Sequence, residues 1–273
     1  MTLAQALAGC RGVARLDAQL LLLHVLGRST HDRAWLLAHD DDPLPPEAAQ
    51  RFDQLCARRA AGEPLAYLVG EKEFHGLRLQ VDARVLVPRP DTETLVDWAL
   101  AVVADHPSPQ VLDLGTGSGA IALAIKHQRP DATVEAVDRS ADALAVARAN
   151  ARALGLDIVL RQASWLDGAA HGWHLIVSNP PYVADGDAHL ADLVHEPRHA
   201  LVSGADGLDD LRMLISSAPL HLAAGGWLLL EHGWDQTATV RGLLAAAGFG
   251  QVGSRCDLAG IERCSGGRWL EGG

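Results

Sequence analysis

Five apolar runs of strand length recur between residues 111 and 231: "VLDL" (111–114), "TVEAV" (133–137), "DIVL" (157–160), "LIVS" (175–178) and "GWLLLE" (226–231). Stretches of helical period separate them, among them "DALAVARANARALG" (142–155) and "DDLRMLISSAPLHLAA" (209–224). This alternation constrains the fold more than any other feature. A strand, a helix and a second strand in succession need a crossover, so the strands run parallel and helices cover both faces of the sheet. Two late segments, 251–257 and 263–270, read as an antiparallel pair that closes the sheet. No internal repeat interrupts the pattern.

Upstream the period changes. Residues 1–64 read as short helices: "RLDAQLLLLHVLG" with Asp17 early and Gly27 as its stop, "HDRAWLLAHD", and "PPEAAQRFDQLCARRAAGEP", which opens near Pro46 and ends at Gly62. His24 falls on an apolar face with no second ligand at matching spacing and reads as a core residue. Residues 65–87, "LAYLVGEKEFHGLRLQVDARVLV", alternate and contain Gly70 and Gly76, which predicts a β-hairpin linker. The expected organisation is a helical domain over 1–64, a linker over 65–87 and the main domain over 88–273.

Charge narrows the range of partners. The chain has 23 Lys and Arg against 34 Asp and Glu, and residues 1–64 nearly balance with seven basic and eight acidic. The negative field therefore belongs to the larger domain. No basic stripe is present of the kind that holds duplex DNA through its phosphates, so direct nucleic-acid binding is not expected. The apolar run Leu20–Leu23 is too short to span a bilayer. Leu7-Ala8-Gly9-Cys10 mimics a lipoprotein cleavage site, but no basic residue and no long apolar core precede it. Cys10, Cys56, Cys256 and Cys264 lie too far apart for a zinc knuckle or a redox pair. They read as idle thiols of a reducing compartment, which makes the cytoplasm the expected location.

Chemistry enters at "VLDLGTGSGAIALA" (111–124), where Gly115, Gly117 and Gly119 follow a strand and open a helix. Glycines there allow a tight turn and the close approach of a ligand to the backbone. Asp138 ends the next strand, where a carboxylate can take ribose hydroxyls. A dinucleotide fingerprint spaces its glycines G-x-G-x-x-G, whereas here the third arrives one residue early. An adenosyl ligand without a pyrophosphate fits this spacing better than a nicotinamide dinucleotide, which disfavours an oxidoreductase.

"LIVS" runs into Asn179-Pro180-Pro181-Tyr182. The prolines lack N–H groups and keep their carbonyls as acceptors. In a parallel open sheet this segment lies on the same edge as the glycine loop. A planar NH2 group has two N–H donors, which the Asn179 side-chain oxygen and the Pro180 carbonyl can accept, while Tyr182 packs against its π-system. The arrangement suits alkylation of a planar nitrogen beside an adenosyl cofactor.

"NPPY" with "DLGTGSGAIALA" resembles the class I methyltransferases that use S-adenosyl-L-methionine. "EPLAYLVGEKEFHGL", "VLVPRPDTETLVDWAL", "VDRSADALAVARAN", "HEPRHALVSGADGL" and "GGWLLLEHG" resemble the HemK/PrmC family over essentially the whole chain. The resemblance implies a Rossmann-like, seven-stranded, mostly parallel sheet behind a helical substrate-recognition domain and a hairpin. It also implies methyl transfer to the side-chain amide of the glutamine in the Gly-Gly-Gln motif of peptide chain release factors. Gly115, Thr116, Gly117, Ser118 and Gly119 would cradle the cofactor, Asp138 would take its ribose and Trp165 would lie near its adenine. Asn179 would meet cofactor and substrate, and Asn179, Pro180, Pro181 and Tyr182 would hold the glutamine, with Asn179, Pro180 and Tyr182 as the catalytic set. Ser164 stands where the family commonly has Asp, which implies weaker cofactor affinity.

No metal and no strong general base are expected, because the sulfonium carries the difficult chemistry. "PRPDTE" (88–93) reads either as a helix N-cap or as a wall of the substrate channel. A monomer is expected. A ribosomal-protein glutamine methyltransferase and an adenine-N6 DNA methyltransferase are the alternatives. A binding module without catalysis is disfavoured by the intact cofactor and substrate positions.

Overall fold

Residues 1–270 are described by the structure, a computed structural model. The chain divides between Glu71 and Lys72 into two units. The first is helical, with α1 (Leu3–Gly9), α2 (Arg15–Val25), α3 (Arg33–Ala38), α4 (Pro46–Ala60) and α5 (Leu65–Val69). Thr2 and Gln5 cap α1 reciprocally, each side chain taking the other's backbone N–H. Leu21, Leu22 and Leu23 of α2 are fully buried and pack with Leu36 and Phe52. Pro46 sits in the first turn of α4, where its missing N–H has no helical partner to lose. Gly27 and Gly62 take left-handed backbone just past α2 and α4, as the sequence reading expects of stops. His24 titrates below its ordinary value, chiefly through burial, as befits a core-side residue.

Two expectations are corrected in this unit. Leu65–Val69 form helix α5, closed by Gly70 at φ 78°, so the hairpin is shorter than 65–87. A five-residue apolar run fits one helical turn as well as a strand. The cysteines also differ from the expected idle thiols. Cys10 at the end of α1 and Cys56 on the buried side of α4 form a disulfide, with Cα atoms 5.9 Å apart. Packing of the two helices brings together residues whose sequence spacing carries no signal. Cys256 and Cys264 remain free.

A hairpin begins at the division itself, with β1 (Glu71–Phe74) and β2 (Leu77–Gln80). Its two-residue turn, His75-Gly76, has positive φ at both positions, which matches strand twist. Then follow α6 (Glu93–Val102), β3 (Gln110–Leu114), α7 (Ala120–Gln128), β4 (Thr133–Asp138), α8 (Ala141–Leu154) and β5 (Val159–Gln162). The chain continues through β6 (Trp173–Ser178), α9 (Asp209–Ser217), β7 (Leu222–Glu231), α10 (Thr237–Ala246), β8 (Phe249–Cys256) and β9 (Glu262–Trp269). Among the described residues the main sheet has seven strands in the order β5-β4-β3-β6-β7-β9-β8. Strands β3 to β7 are parallel, as the alternation predicts, and β9 runs antiparallel to both β7 and β8. Leu95, Ile121 and Leu123 of α6 and α7 pack in one apolar layer; Leu211, Leu214, Val240 and Leu244 of α9 and α10 pack in another.

Several boundaries move, and β6 and β8 each start two residues earlier than expected. β5 starts two residues later than expected, and α9 stops at Ser217, so that Leu222–Ala224 belong to β7. Pro219 explains the shift in α9, since it cannot donate a helical hydrogen bond. Strand β3 has β4 on one side and β6 on the other, the point at which an open sheet forms its ligand crevice. Leu114 pairs with Val137 and Ser178, and Ser178 with Leu230. Gly115, Asp138, Asn179 and Glu231 therefore leave four neighbouring strands at one edge.

Candidate active site

The glycine loop follows β3 with Gly115, Gly117 and Gly119 all at positive φ. A Cβ at Gly115 would lie 3.2 Å from the Trp165 ring, and one at Gly119 would lie 3.0 Å from Leu123 and 3.3 Å from Ala147. One glycine thus lets the loop meet an aromatic ring, and the other seats α7 against α8. Asp138 holds the loop from β4. Its Oδ2 accepts the Gly117 N–H at 2.9 Å and its Oδ1 the Ser140 N–H at 2.9 Å. A carboxylate has about four acceptor positions, so two remain for a ligand.

Gly115, Gly117, Asp138, Trp165, Asn179 and Pro181 line one pocket at this edge. The other members of the loop face inward. The Thr116 hydroxyl donates to Asp113 Oδ2 at 2.6 Å, and the Ser118 carbonyl accepts from Asn150 Nδ2 at 2.9 Å. Asp113 is wholly buried, and burial pushes its carboxyl up to about 7 against the opposing bonds from Thr116 and Ala122. Its Oδ1 has no partner among the described residues. Thr116, Ser118 and Gly119 shape the cradle without lining it.

Trp165 itself stands at φ 46°, and its indole N–H donates to Asp210 Oδ1 at 3.1 Å. Asp210 is fixed in turn by the Ser203 hydroxyl at 2.7 Å. Ser164 lines the pocket beside Trp165, and the pocket's further walls are Arg84–Leu86, His199, Ala200 and Val202. Sequence reasoning did not single out these walls. They come from loops without period, and only their place in or beside "VLVPRP" and "HEPRHAL" marks them.

The Asn-Pro-Pro-Tyr segment leaves β6 where Ser178 Oγ donates to the Leu114 carbonyl at 2.7 Å, tying the ends of β3 and β6 together. Asn179 Nδ2 donates to Thr92 Oγ1 at 3.2 Å, and its Oδ1 takes no donor among the described residues. Pro180 is buried and lies off the pocket wall. Tyr182 lies off it too, with Oη donating to Glu231 Oε1 at 3.3 Å and its phenol pKa raised, first by burial. The Tyr182 carbonyl accepts Gln236 Nε2 at 3.0 Å, and its N–H donates to the Leu201 carbonyl at 3.1 Å. Both ends of the segment are therefore held.

Thr92 occupies the N-cap position of α6, yet its side chain makes no capping bond. Its hydroxyl accepts the Asn179 amide N–H instead, and burial pushes the Glu231 carboxyl up to about 7. Arg89 forms an ion pair with buried Glu196, which also accepts the Val87 N–H at 3.2 Å. Residues 88–93 make no side-chain cap for α6 and do not line the pocket; Thr92 meets the site only through the Asn179 side chain. An adenosyl methyl donor fits the residues of the pocket: a glycine turn open to the pocket, a carboxylate with free acceptor positions and an indole beside them.

Residues 2–70 match the PrmC N-terminal domain, and residues 94–208 match the methyltransferase small domain. A release factor glutamine methyltransferase of Bordetella pertussis is 51% identical over 98% of this chain and 99% of its own length. One from Xylella fastidiosa is 50% identical over 96% of this chain and 95% of its own. A solved methyltransferase from Pyrococcus furiosus, 16% identical, covers 71% of this chain and 90% of its own with a TM-score of 0.53; it shares the fold.

Proposed function

The chain belongs to the release factor glutamine methyltransferases, and from that premise we propose how its site works: it methylates the side-chain amide nitrogen of the glutamine in the Gly-Gly-Gln motif of a peptide chain release factor, with S-adenosyl-L-methionine as donor. The observation that carries this reading is Asn179, which lines the same pocket as Gly115, Gly117 and Asp138 and whose Oδ1 takes no donor among the described residues. When bound, the donor supplies an electrophilic methyl on a sulfonium. Gly115 and Gly117 offer it backbone, Asp138 the acceptors for a ribose diol, and Trp165 an apolar face.

An amide nitrogen is a poor nucleophile because its lone pair is delocalised into the carbonyl. Asn179 Oδ1 and the Pro180 carbonyl hold its two N–H groups and stabilise positive charge as it develops there. Alignment of this kind can contribute about 7–11 kcal/mol in favourable cases. Pro181 walls the site, and Tyr182 keeps the segment in place through Glu231. The glutamine itself offers too little surface to identify one protein, so the helical residues 1–64 supply further recognition. The enzyme acts as a monomer on a protein substrate with no direct nucleic-acid partner; among the described residues no helix is long and apolar enough to cross a bilayer.

The test is transfer of labelled methyl from S-adenosyl-L-methionine to release factors, ribosomal proteins and DNA in parallel. A 14 Da gain on the Gly-Gly-Gln glutamine is expected. Label confined to ribosomal protein or to DNA would reject the substrate.

A further inference from the structure

We propose that Asp210 is a positioning residue for the methyl donor: it holds the Trp165 indole as a preformed wall against which the adenosyl group packs. The proposal deepens the reading given above and rests on S-adenosyl-L-methionine occupying this pocket. Trp165 needs such a partner. It stands in the left-handed region at φ 46°, an outlier for a bulky side chain, and such a conformation persists only where the surroundings hold it.

The ring is held at both ends. Its six-membered edge lies against the glycine turn, since a Cβ on Gly115 would come within 3.2 Å of Cζ3 and 3.4 Å of Cη2. The opposite end carries Nε1, which can only donate, and it donates to Asp210 Oδ1 at 3.1 Å. The indole therefore reaches from the turn after β3 to the first turn of α9, and Gly115, Trp165 and Asp210 all line the pocket. Apolar packing is non-directional. The hydrogen bond to Asp210 is what sets the angle of the ring.

Asp210 is fixed in its turn. Ser203 Oγ donates to Asp210 Oδ2 at 2.7 Å and accepts the Asp210 N–H at 2.8 Å. Ser203 is 3% exposed, and its own N–H donates to the Val183 carbonyl at 3.0 Å. A buried hydroxyl thus engages one carboxylate oxygen, and the other meets the indole.

A role confined to the helix accounts poorly for this arrangement. An acidic residue in the first turn is stabilising through the helix dipole. Asp209 already supplies one there, and it faces Arg212 at 3.3 Å. Asp210 differs from its neighbour in being tied to Trp165.

The experiment is calorimetry of S-adenosyl-L-methionine binding to the full chain and its variants. Asp210→Leu keeps the approximate size and removes the acceptor, and Kd is expected to rise about 4- to 10-fold, the cost of ordering one large side chain on binding. Asp210→Asn keeps an oxygen for the indole and should bind within about twofold of wild type. Ser203→Ala gives an arm that does not depend on how Asp210→Leu folds, with an expected rise in Kd of about threefold. Trp165→Phe retains an aromatic face but has no N–H. In that background Asp210→Leu should change Kd by less than about twofold, because the two substitutions break the same bond.

Wild-type affinity in Asp210→Leu, or in Ser203→Ala where Asp210→Leu does not fold, would overturn the positioning role. So would losses from Asp210→Leu and Trp165→Phe that multiply, since the carboxylate would then act on the donor or the helix and not through the indole. Wild-type affinity in Trp165→Ala would remove the wall and the proposal with it, while methyl transfer to a release factor by that variant would leave the activity standing. A wild-type protein that binds no S-adenosyl-L-methionine would instead remove the reading on which the proposal rests.

Discussion

Asp138 ends its strand with each carboxylate oxygen on a backbone N–H, one from the glycine loop and one from the start of α8. It has two tasks, to shape the turn and to face the pocket, and a substitution removes both. Asp138→Ala is expected to weaken S-adenosyl-L-methionine binding by about one to two decades, from the loss of bonds to a charged group worth about 1.5–3 kcal/mol each. Calorimetry of the variant against wild type gives the answer, and equal affinities would take Asp138 out of the cofactor site. Asp113 allows a prediction in pH. Burial raises its folded pKa to about 7, so between its unfolded value and 7 the folded chain holds a proton that the unfolded chain has released. Stability from this group is complete below the unfolded value and is lost as pH rises through 7, at up to about 1.4 kcal/mol per pH unit. His24, His174 and His232 titrate lower in the fold, chiefly through burial, and act in the opposite sense. The difference between wild type and Asp113→Asn separates the two effects. The melting temperature of the variant relative to wild type should rise between pH 5 and 8, and a difference that does not change with pH would mean that Asp113 is ionised throughout.

At the scale of elements, the strands and the glycine loop were legible because apolar runs and loop glycines carry local signals. The runs at 111–114, 133–137, 175–178 and 226–231 fall within β3, β4, β6 and β7, and Asp138 and Asn179 stand at the ends of their strands on the expected edge. Contacts between distant segments were not legible. Thr92 and Glu231 sit in unrelated stretches, and only the pairing of β6 with β7 brings Glu231 beside the segment that Thr92 touches. Arg84–Leu86 and His199 line the pocket from loops whose conformation no period encodes. The bridge between Cys10 and Cys56 depends on how α1 meets α4, and it leads to a count of thiols. Alkylation of the folded protein should label exposed Cys256 alone, unfolding without reductant should add buried Cys264, and only reduction should reveal all four cysteines. Four reactive thiols after unfolding without reductant would mean that the bridge had not formed.

At the scale of the whole molecule, the chemistry lies on the sheet while the near-neutral helical residues offer separate surface. Recognition of a protein at ordinary affinity needs about 800 Å² on each partner, more than one glutamine side chain supplies. An enzyme lacking residues 1–64 should show a KM for whole release factor raised about tenfold or more, and a much smaller change for a short Gly-Gly-Gln peptide. Equal losses on both substrates would assign those helices to stability. Where such a cut can fall is decided by Asn150, buried on α8. Its Oδ1 takes the Gln80 N–H at 2.7 Å, and its Nδ2 donates to the carbonyls of Gln80 and Ser118 at 3.0 and 2.9 Å. One amide thus rivets β2 to the glycine loop. The hairpin cannot be exchanged together with the helices ahead of Glu71: a graft joined beyond β2 would remove the pin that holds the glycine loop, and a chimera that leaves the hairpin in place would keep it.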